Sequence, residues 1–293
     1  MNRIEIPEAG IRVDIPASYT EMSRAQVFHV MRQLHFLQQG KMSLPEFRVR
    51  IFYEFAQVKR TIRSIVWERL HPRAAYRRAE RISLLSEQLL AFLFSRNGNE
   101  LQPAFDSVTN YLPKLRIGPF RFVGPADGLV DISFDELIAA DAELALYSST
   151  RNDCHIDNMI ATLYHAPGPM QPCGRKVEPF NPERVAHDAR IIRWLQPWKK
   201  QLILFWYAAC IDNLQHGIFI VNGREVCFEA LFADNESGEG KSLGWLGVLF
   251  DLAEKRTFGN MTETGQANII DVLSLLMNYK YTSDNVRKHR TTD

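Results

Sequence analysis

The residues nearest to a ligand-binding signature are Gly238-Glu239-Gly240-Lys241-Ser242. A loop ending Gly-Lys-Ser holds phosphates on its backbone N–H groups, with the lysine on the outer phosphates and the hydroxyl on magnesium. That loop needs another glycine five residues before the Gly of Gly-Lys-Ser, and Asn235 stands there. The preceding Ala230-Leu231-Phe232-Ala233 is not a clear strand, and no strand ending in Asp supplies a magnesium partner. The segment reads as a polar loop in which Ser242 caps a helix beginning near Leu243. Histidines stand at 29, 35, 71, 155, 165, 187, 216 and 289, but none forms the HxxxH or HExxH spacing that puts two ring nitrogens on one metal. His29 and His35 fall on different helical faces, and the adjacent Cys154 and His155 diverge. Asp135 and Glu136 sit where a helix starts, and the helix dipole accounts for them without acid–base work. No residue is assigned to catalysis, a cofactor or a metal.

One local charge anomaly remains. Lys59, Arg60, Arg63, Arg69, Arg73, Arg77, Arg78 and Arg81 make a basic stretch that fits either a solvated helix face or a track of nucleic-acid phosphates. Trp194, Trp198, Phe205, Trp206 and Tyr207 recur at helical spacing and read as core rather than as a stacking platform.

The elements that position these residues begin with a pattern that occurs twice. Val13-Asp14-Ile15-Pro16-Ala17-Ser18-Tyr19-Thr20-Glu21-Met22 and Val130-Asp131-Ile132-Ser133-Phe134-Asp135-Glu136-Leu137 each place Ser-x-x-Glu after a β-branched run. Such a spacing is a capping box: the Ser hydroxyl takes the third helical amide and the Glu carboxylate returns to the Ser amide. Ser18 with Glu21 and Ser133 with Glu136 are therefore the expected caps. Ser23 with Gln26 competes in the first copy, so that helix begins at either serine or passes through a short 3₁₀ turn. Ser18 and Ser133 are offset by 115 residues, Tyr53 and Tyr164 by 111, Leu89 and Leu202 by 113. This narrow band predicts two duplicated units, each a hairpin followed by three helices.

Along the first unit, Arg3 to Ile6 and Ile11 to Ile15 predict a hairpin, Arg24 to Gln38 a helix stopped at Gly40, and Ser43 a cap for the next helix. A further helix is expected over Ala79 to Phe94. In the second unit, strands are expected around Gly118-Pro119, helices over Ser133 to Tyr147 and Ile156 to Tyr164, and an irregular proline-rich loop over 166–182. Asn181 caps the helix after it. Asn222-Gly223 between Ile218 to Val221 and Arg224 to Phe228 is the strongest hairpin signal, because both turn residues tolerate positive φ.

At 293 residues, with 46% apolar and 24% charged residues, the chain is long enough for two ordinary domains, and a net charge of +1 gives no global field to draw nucleic acid or an anionic membrane. The opening Met1 to Ile6 lacks the apolar core of a signal peptide, and charges interrupt every apolar run before spanning length. Cys154, Cys173, Cys210 and Cys227 form no CxxC pair and are expected to be free thiols of a cytosolic chain.

Ile132-Ser133-Phe134-Asp135-Glu136-Leu137 with Ala140-Asp141, Met159 to Tyr164, Phe180-Asn181-Pro182-Glu183-Arg184-Val185, Leu204 to Cys210, and Trp245-Leu246-Gly247 with Leu252-Ala253-Glu254 and Phe258-Gly259 resemble an uncharacterised protein family found in phage-tail or tail-like prophage gene clusters. The resemblance covers most of the chain, and its motifs are packing motifs. It implies a virion component or assembly factor with tape-measure or tail-tube proteins as partners, located in the host cytoplasm during assembly or in the virion.

Taken together, the expected fold is mainly α (α+β), with units over 1–114 and 115–233 and a linker with a C-terminal helical hairpin over 234–293. The expected function is non-enzymatic, through protein–protein contacts as chaperone or structural piece, without a cofactor. A nucleic-acid-associated protein using 59–81 is the alternative, and an unrecognised enzyme the third. The C-terminal hairpin either completes the core or presents a partner surface through Trp245, Phe250, Ile269 and Leu273, with Arg287, Lys288 and Arg290 steering an acidic partner. Removing 242–293 is expected to leave a folded remainder. The incomplete phosphate loop predicts that the purified protein neither binds nor hydrolyses ATP; micromolar affinity by calorimetry, abolished by Lys241→Ala, would overturn this.

Overall fold

The computed structural model describes residues 2–6, 11–57, 70–97, 100–221, 223–233 and 244–290. The protein is mainly α-helical, with short antiparallel two-stranded hairpins between the helices. It divides into two compact units, Met1–Ser107 with Pro197–Leu202, and Val108–Gln196 with Ile203–Asp293.

Unit 1 opens with β1 (Asn2–Ile6) paired to β2 (Ile11–Ile15). Ser18 precedes a 3₁₀ turn, Tyr19–Glu21, and makes no side-chain cap; its hydroxyl lies 2.8 Å from that of Thr20. Glu21 turns back to accept from the Ala17 amide at 2.7 Å. The capping box belongs to Ser23 and Gln26, which open α1 (Arg24–Gln38). The 3₁₀ turn intervenes because the aromatic Tyr19, fully buried against Phe105 at 4.6 Å, anchors the chain before the helix can start. Helix α1 buries Val27, Val30, Met31 and Leu34, one stripe at helical spacing, and Gly40 ends it at φ 68°. Ser43 caps α2 (Leu44–Phe55), which buries Phe47, Ile51 and Phe55.

The next helix, α3, runs Pro72–Leu89, earlier at both ends than its pattern predicts. Pro72 stands at its first position, where the missing N–H is no loss. After Leu89 the chain passes through a 3₁₀ turn at Ala91–Leu93 into β3 (Phe94–Asn97), paired with β4 (Glu100–Pro103).

Unit 2 begins with β5 (Lys114–Ile117) and β6 (Phe120–Val123) around Gly118 at φ 57°. A 3₁₀ turn, Asp127–Leu129, leads to α4 (Phe134–Thr150). Ser133 caps α4 as expected: its Oγ accepts from the Glu136 amide at 3.3 Å and Glu136 Oε2 accepts from the Ser133 amide at 2.7 Å. Arg151, in the left-handed region, ends α4, and Asn152 caps α5 (Asp153–Leu163). His155 and Asn158 of α5 both bond the Glu143 carboxylate of α4. The proline-rich segment is not wholly irregular, since β7 (Pro167–Met170) pairs with β8 (Lys176–Val177) across a register shift. Asn181 caps α6 (Pro182–Ile192), and α7 (Pro197–His216) follows, its first six residues counted with unit 1.

Strands β9 (Ile218–Val221) and β10 (Arg224–Cys227) form the hairpin that Asn222-Gly223 predicts, with Gly223 at φ 76°. Then come α8 (Glu229–Ala233), α9 (Trp245–Glu254), α10 (Met261–Gln266) and α11 (Ile269–Arg290). These last helices complete the unit 2 core rather than standing apart from it. The Ile269 amide donates to the Ile132 carbonyl, the Phe134 amide donates to Ala267, and Ile269, Val272 and Leu273 are fully buried. Removing 242–293 would therefore uncover Phe134 and Ile132.

Both units open in the same order of hairpin, 3₁₀ turn and two helices. The third aligned segment departs, because Leu89 to Phe94 leaves a helix for a strand while Leu202 to Tyr207 lies inside α7. Internal duplication is thus not confirmed. Among the described residues, no helix is long and apolar enough to cross a membrane. Replacing Ser133 with Ala is expected to cost about 0.5–2 kcal/mol in urea melts. Ser18→Ala, which removes no helix cap, should stay within about 0.5 kcal/mol.

Candidate functional site

The capping carboxylate of α4 is the centre of the most unusual chemistry in the chain. A Glu at the third helical position ordinarily faces water, but Glu136 is 2% exposed. It is buried because its neighbours Ile132, Phe134 and Leu137 are all core residues and the C-terminal helices cover the turn. While Oε2 accepts from the Ser133 amide, Oε1 lies 2.5 Å from His165 Nε2 and also pairs with the Arg175 guanidinium. An ionised carboxylate only accepts, so His165 Nε2 is the donor to it.

Each partner is held by its own local structure. His165 follows the end of α5 and is pinned by a two-way backbone pair with Val123 of β6, at 2.8 and 3.1 Å. Next to it, the fully buried Tyr164 donates to the Leu112 carbonyl at 3.0 Å, and its ring lies so close on Gly124 that a β-carbon there would collide. Arg175 rides on the tight turn between β7 and β8, where the Gln171 amide donates to its carbonyl at 2.8 Å and Gly174 adopts φ 94°. From the other side, Asn268 Nδ2 donates to the carbonyls of Val130 and Cys173. Three segments meet at the Glu136 side chain, and Asn268 ties two of them together from a fourth.

Burial works against the charge on Glu136, yet the His165 hydrogen bond and the Arg175 charge outweigh it and hold the carboxyl below its ordinary pKa. The surrounding acids move the other way. Burial raises Asp131, and burial followed by the Glu136 charge raises Asp135. Burial also raises the thiol of Cys173 and pushes that of Cys210 up to about 12, so neither is a ready nucleophile. A pocket of about 20 Å³, room for one water, lies against Ser133, Asp135, Glu136, Cys173 and Arg175. The Nε and Nη1 atoms of Arg175 are closed to solvent and have no hydrogen-bond partner among the described residues. A His–carboxylate pair can move protons, and the described space beside this one is about the size of one water. Its arrangement is that of a buried electrostatic clasp.

The structure distributes the other expected site residues widely. Trp245 is half-buried, edge-on to Phe134 at 6.0 Å and to Phe232 at 5.3 Å. Phe250 is exposed, whereas Ile269 and Leu273 are fully buried and so cannot meet a partner; they fill the space beside α4 instead. Arg73 is exposed. Lys59, Arg60, Arg63, Arg69 and the Gly238 to Ser242 loop lie outside the described residues, as do the side chains of Arg77, Arg78, Arg81, Arg287, Lys288 and Arg290. Trp198, Trp206 and Tyr207 are buried, but Trp194, read as core, is 84% exposed because it falls in the turn after α6, outside the helical repeat. His165 carried no metal spacing and Arg175 no signal of its own. The only hint was a charged residue set among Ile132, Phe134 and Leu137.

No family model, curated protein or solved structure matches this chain. The link to phage-tail gene clusters accordingly rests on the sequence motifs alone.

Replacing Glu136 with Gln is expected to destabilise the fold by about 3–5 kcal/mol at neutral pH, because the guanidinium stays buried without its counter-charge. Since the native pKa lies below the ordinary 4.5, the contribution of Glu136 is present above that value and lost as pH falls through the native one. Asp131 and Asp135 titrate with the opposite sign, so the measurement is the difference between wild-type and Glu136→Gln urea stability from pH 7 to 3, which should shrink with acid. A constant difference would show that Glu136 carries no native charge.

Proposed function

We propose that this chain is a non-enzymatic protein-binding factor in the assembly of phage tails or tail-like particles. The observation that carries a protein-binding role is the surface of β9. Its four residues, Ile218-Phe219-Ile220-Val221, are apolar on both faces of the strand. One face turns inward, with Phe219 against Phe228 at 5.3 Å. On the other, Ile218 and Ile220 are 70% and 77% exposed. Single apolar residues on a surface are ordinary, but two β-branched residues side by side on an uncharged strand form a patch. Among the described strands β9 pairs with β10 alone, so no described strand occupies its other edge, where strand addition would take place. Strand β10 carries Arg224 and Glu225, charges of the kind that protect an edge, and β9 carries none.

The class of partner, a tape-measure or tail-tube protein, comes from the resemblance of the packing motifs. Co-expression with the tape-measure and tail-tube proteins of the same gene cluster should yield a complex that survives gel filtration. Ile218→Lys with Ile220→Lys is expected to weaken it at least tenfold while leaving the melting temperature of the free chain within a few degrees, since neither residue is buried. No complex with either protein, together with salt-dependent binding to duplex DNA, would replace this reading with the nucleic-acid one.

A further inference from the structure

Unit 2 contains a cavity of about 210 Å³, walled by helices that approach without filling the space between them. Leu137 of α4, Ile211 and Leu214 of α7, and Leu273 of α11 supply an aliphatic floor. Phe232 of α8 and Trp245 of α9 add two aromatic walls that meet edge-on at 5.3 Å. Among the described residues that line it, only Asp141 and Gln215 are polar. Protein interiors close such space when the side chains allow it, and apolar cavities of about 150 Å³ take up a molecule as small as benzene.

The polar residues narrow the chemistry. Asp141 lies on the same face of α4 as Leu137, one helical turn on, is half-buried, and makes no hydrogen bond or ion pair among the described residues. The buried Tyr207 hydroxyl, itself without a hydrogen-bond partner among the described residues, lies within reach of its charge. Water can donate to such a carboxylate, and a ligand's donor can take the place of that water. Aromatic faces next to a carboxylate suit a compact organic cation, which gains from the ring quadrupole and from the charge together. We infer that this cavity is a binding site for a small apolar amine, with the ammonium on Asp141, the hydrocarbon body between Phe232, Trp245 and Leu214, and Gln215 as a second hydrogen-bonding group. Burial alone raises the Asp141 carboxyl above its ordinary pKa, an effect that a bound ammonium would reverse. The site stands apart from the β9 surface and does not depend on that proposal.

Benzylamine is the probe, with benzyl alcohol and benzoate as its neutral and anionic counterparts. Titration of the full chain, followed by calorimetry and ligand-observed NMR, should show saturable binding of benzylamine, at least tenfold tighter than benzyl alcohol and with benzoate not bound. Asp141→Asn should weaken benzylamine at least tenfold, and Leu214→Phe, which fills the cavity, should abolish binding. Should Asp141→Asn not fold, the ranking of the three probes on the wild-type chain decides the charge requirement by itself. Absence of saturable benzylamine binding, equal binding of the three probes, or binding that survives either folded variant would overturn the site.

Discussion

One buried carboxylate, Glu136, ties three segments of unit 2 together. Taking Glu136 out of water is costly by several kcal/mol, and the structure offsets this with the Ser133 amide, the His165 ring and the Arg175 guanidinium. The consequence is geometric as much as energetic. The start of α4, the chain leaving α5 and the turn between β7 and β8 must all be in place before the charge is satisfied, so they form as a set. The C-terminal helices seal that set, because Asn268 ties Val130 to Cys173 and the Ile269 amide reaches Ile132. A helix cap, which normally serves only its own first turn, has become a long-range contact.

That arrangement explains why the C-terminal helices belong to the core. Phe134, the first residue of α4, is fully buried against Trp245, and Gly265 approaches the Asp135 carboxylate so closely that a side chain there would collide. Helices α9 to α11 therefore close over α4 near its N-terminus. Further along α4, Leu137 and Asp141 face the space that α7, α8 and α11 leave open. Tight closure at one place and a void a turn later follow from the same constraint: the Glu136 contacts fix where α4 sits, and the side chains available beyond them do not fill the gap.

The surface follows a different logic from this interior. Strand β9 spends apolar residues on a face that no described element covers, while Phe219 on its opposite face anchors the hairpin to Phe228. The proposed protein-binding role rests on this anchored hairpin and its apolar outer face.

The sequence by itself determined what is decided within a few residues. Ser133 with Glu136, Asn181, the hairpin at Asn222-Gly223 and the stop at Gly40 could all be read directly, because caps and turns join groups no more than four residues apart. The mainly helical class followed from the same local signals. Tertiary structure decided the rest. Glu136 and Arg175 are separated by 39 residues, and nothing in the neighbourhood of either names the other. The Ser18 box yielded to Ser23 because Tyr19 is claimed by Phe105, the end of α3 became a strand because Phe94 pairs with Pro103, and Trp194 lies on the surface because a turn breaks the helical period. Local hydrogen bonds are encoded by spacing, whereas burial of a charge or exposure of an aromatic ring depends on which distant segment arrives to cover it.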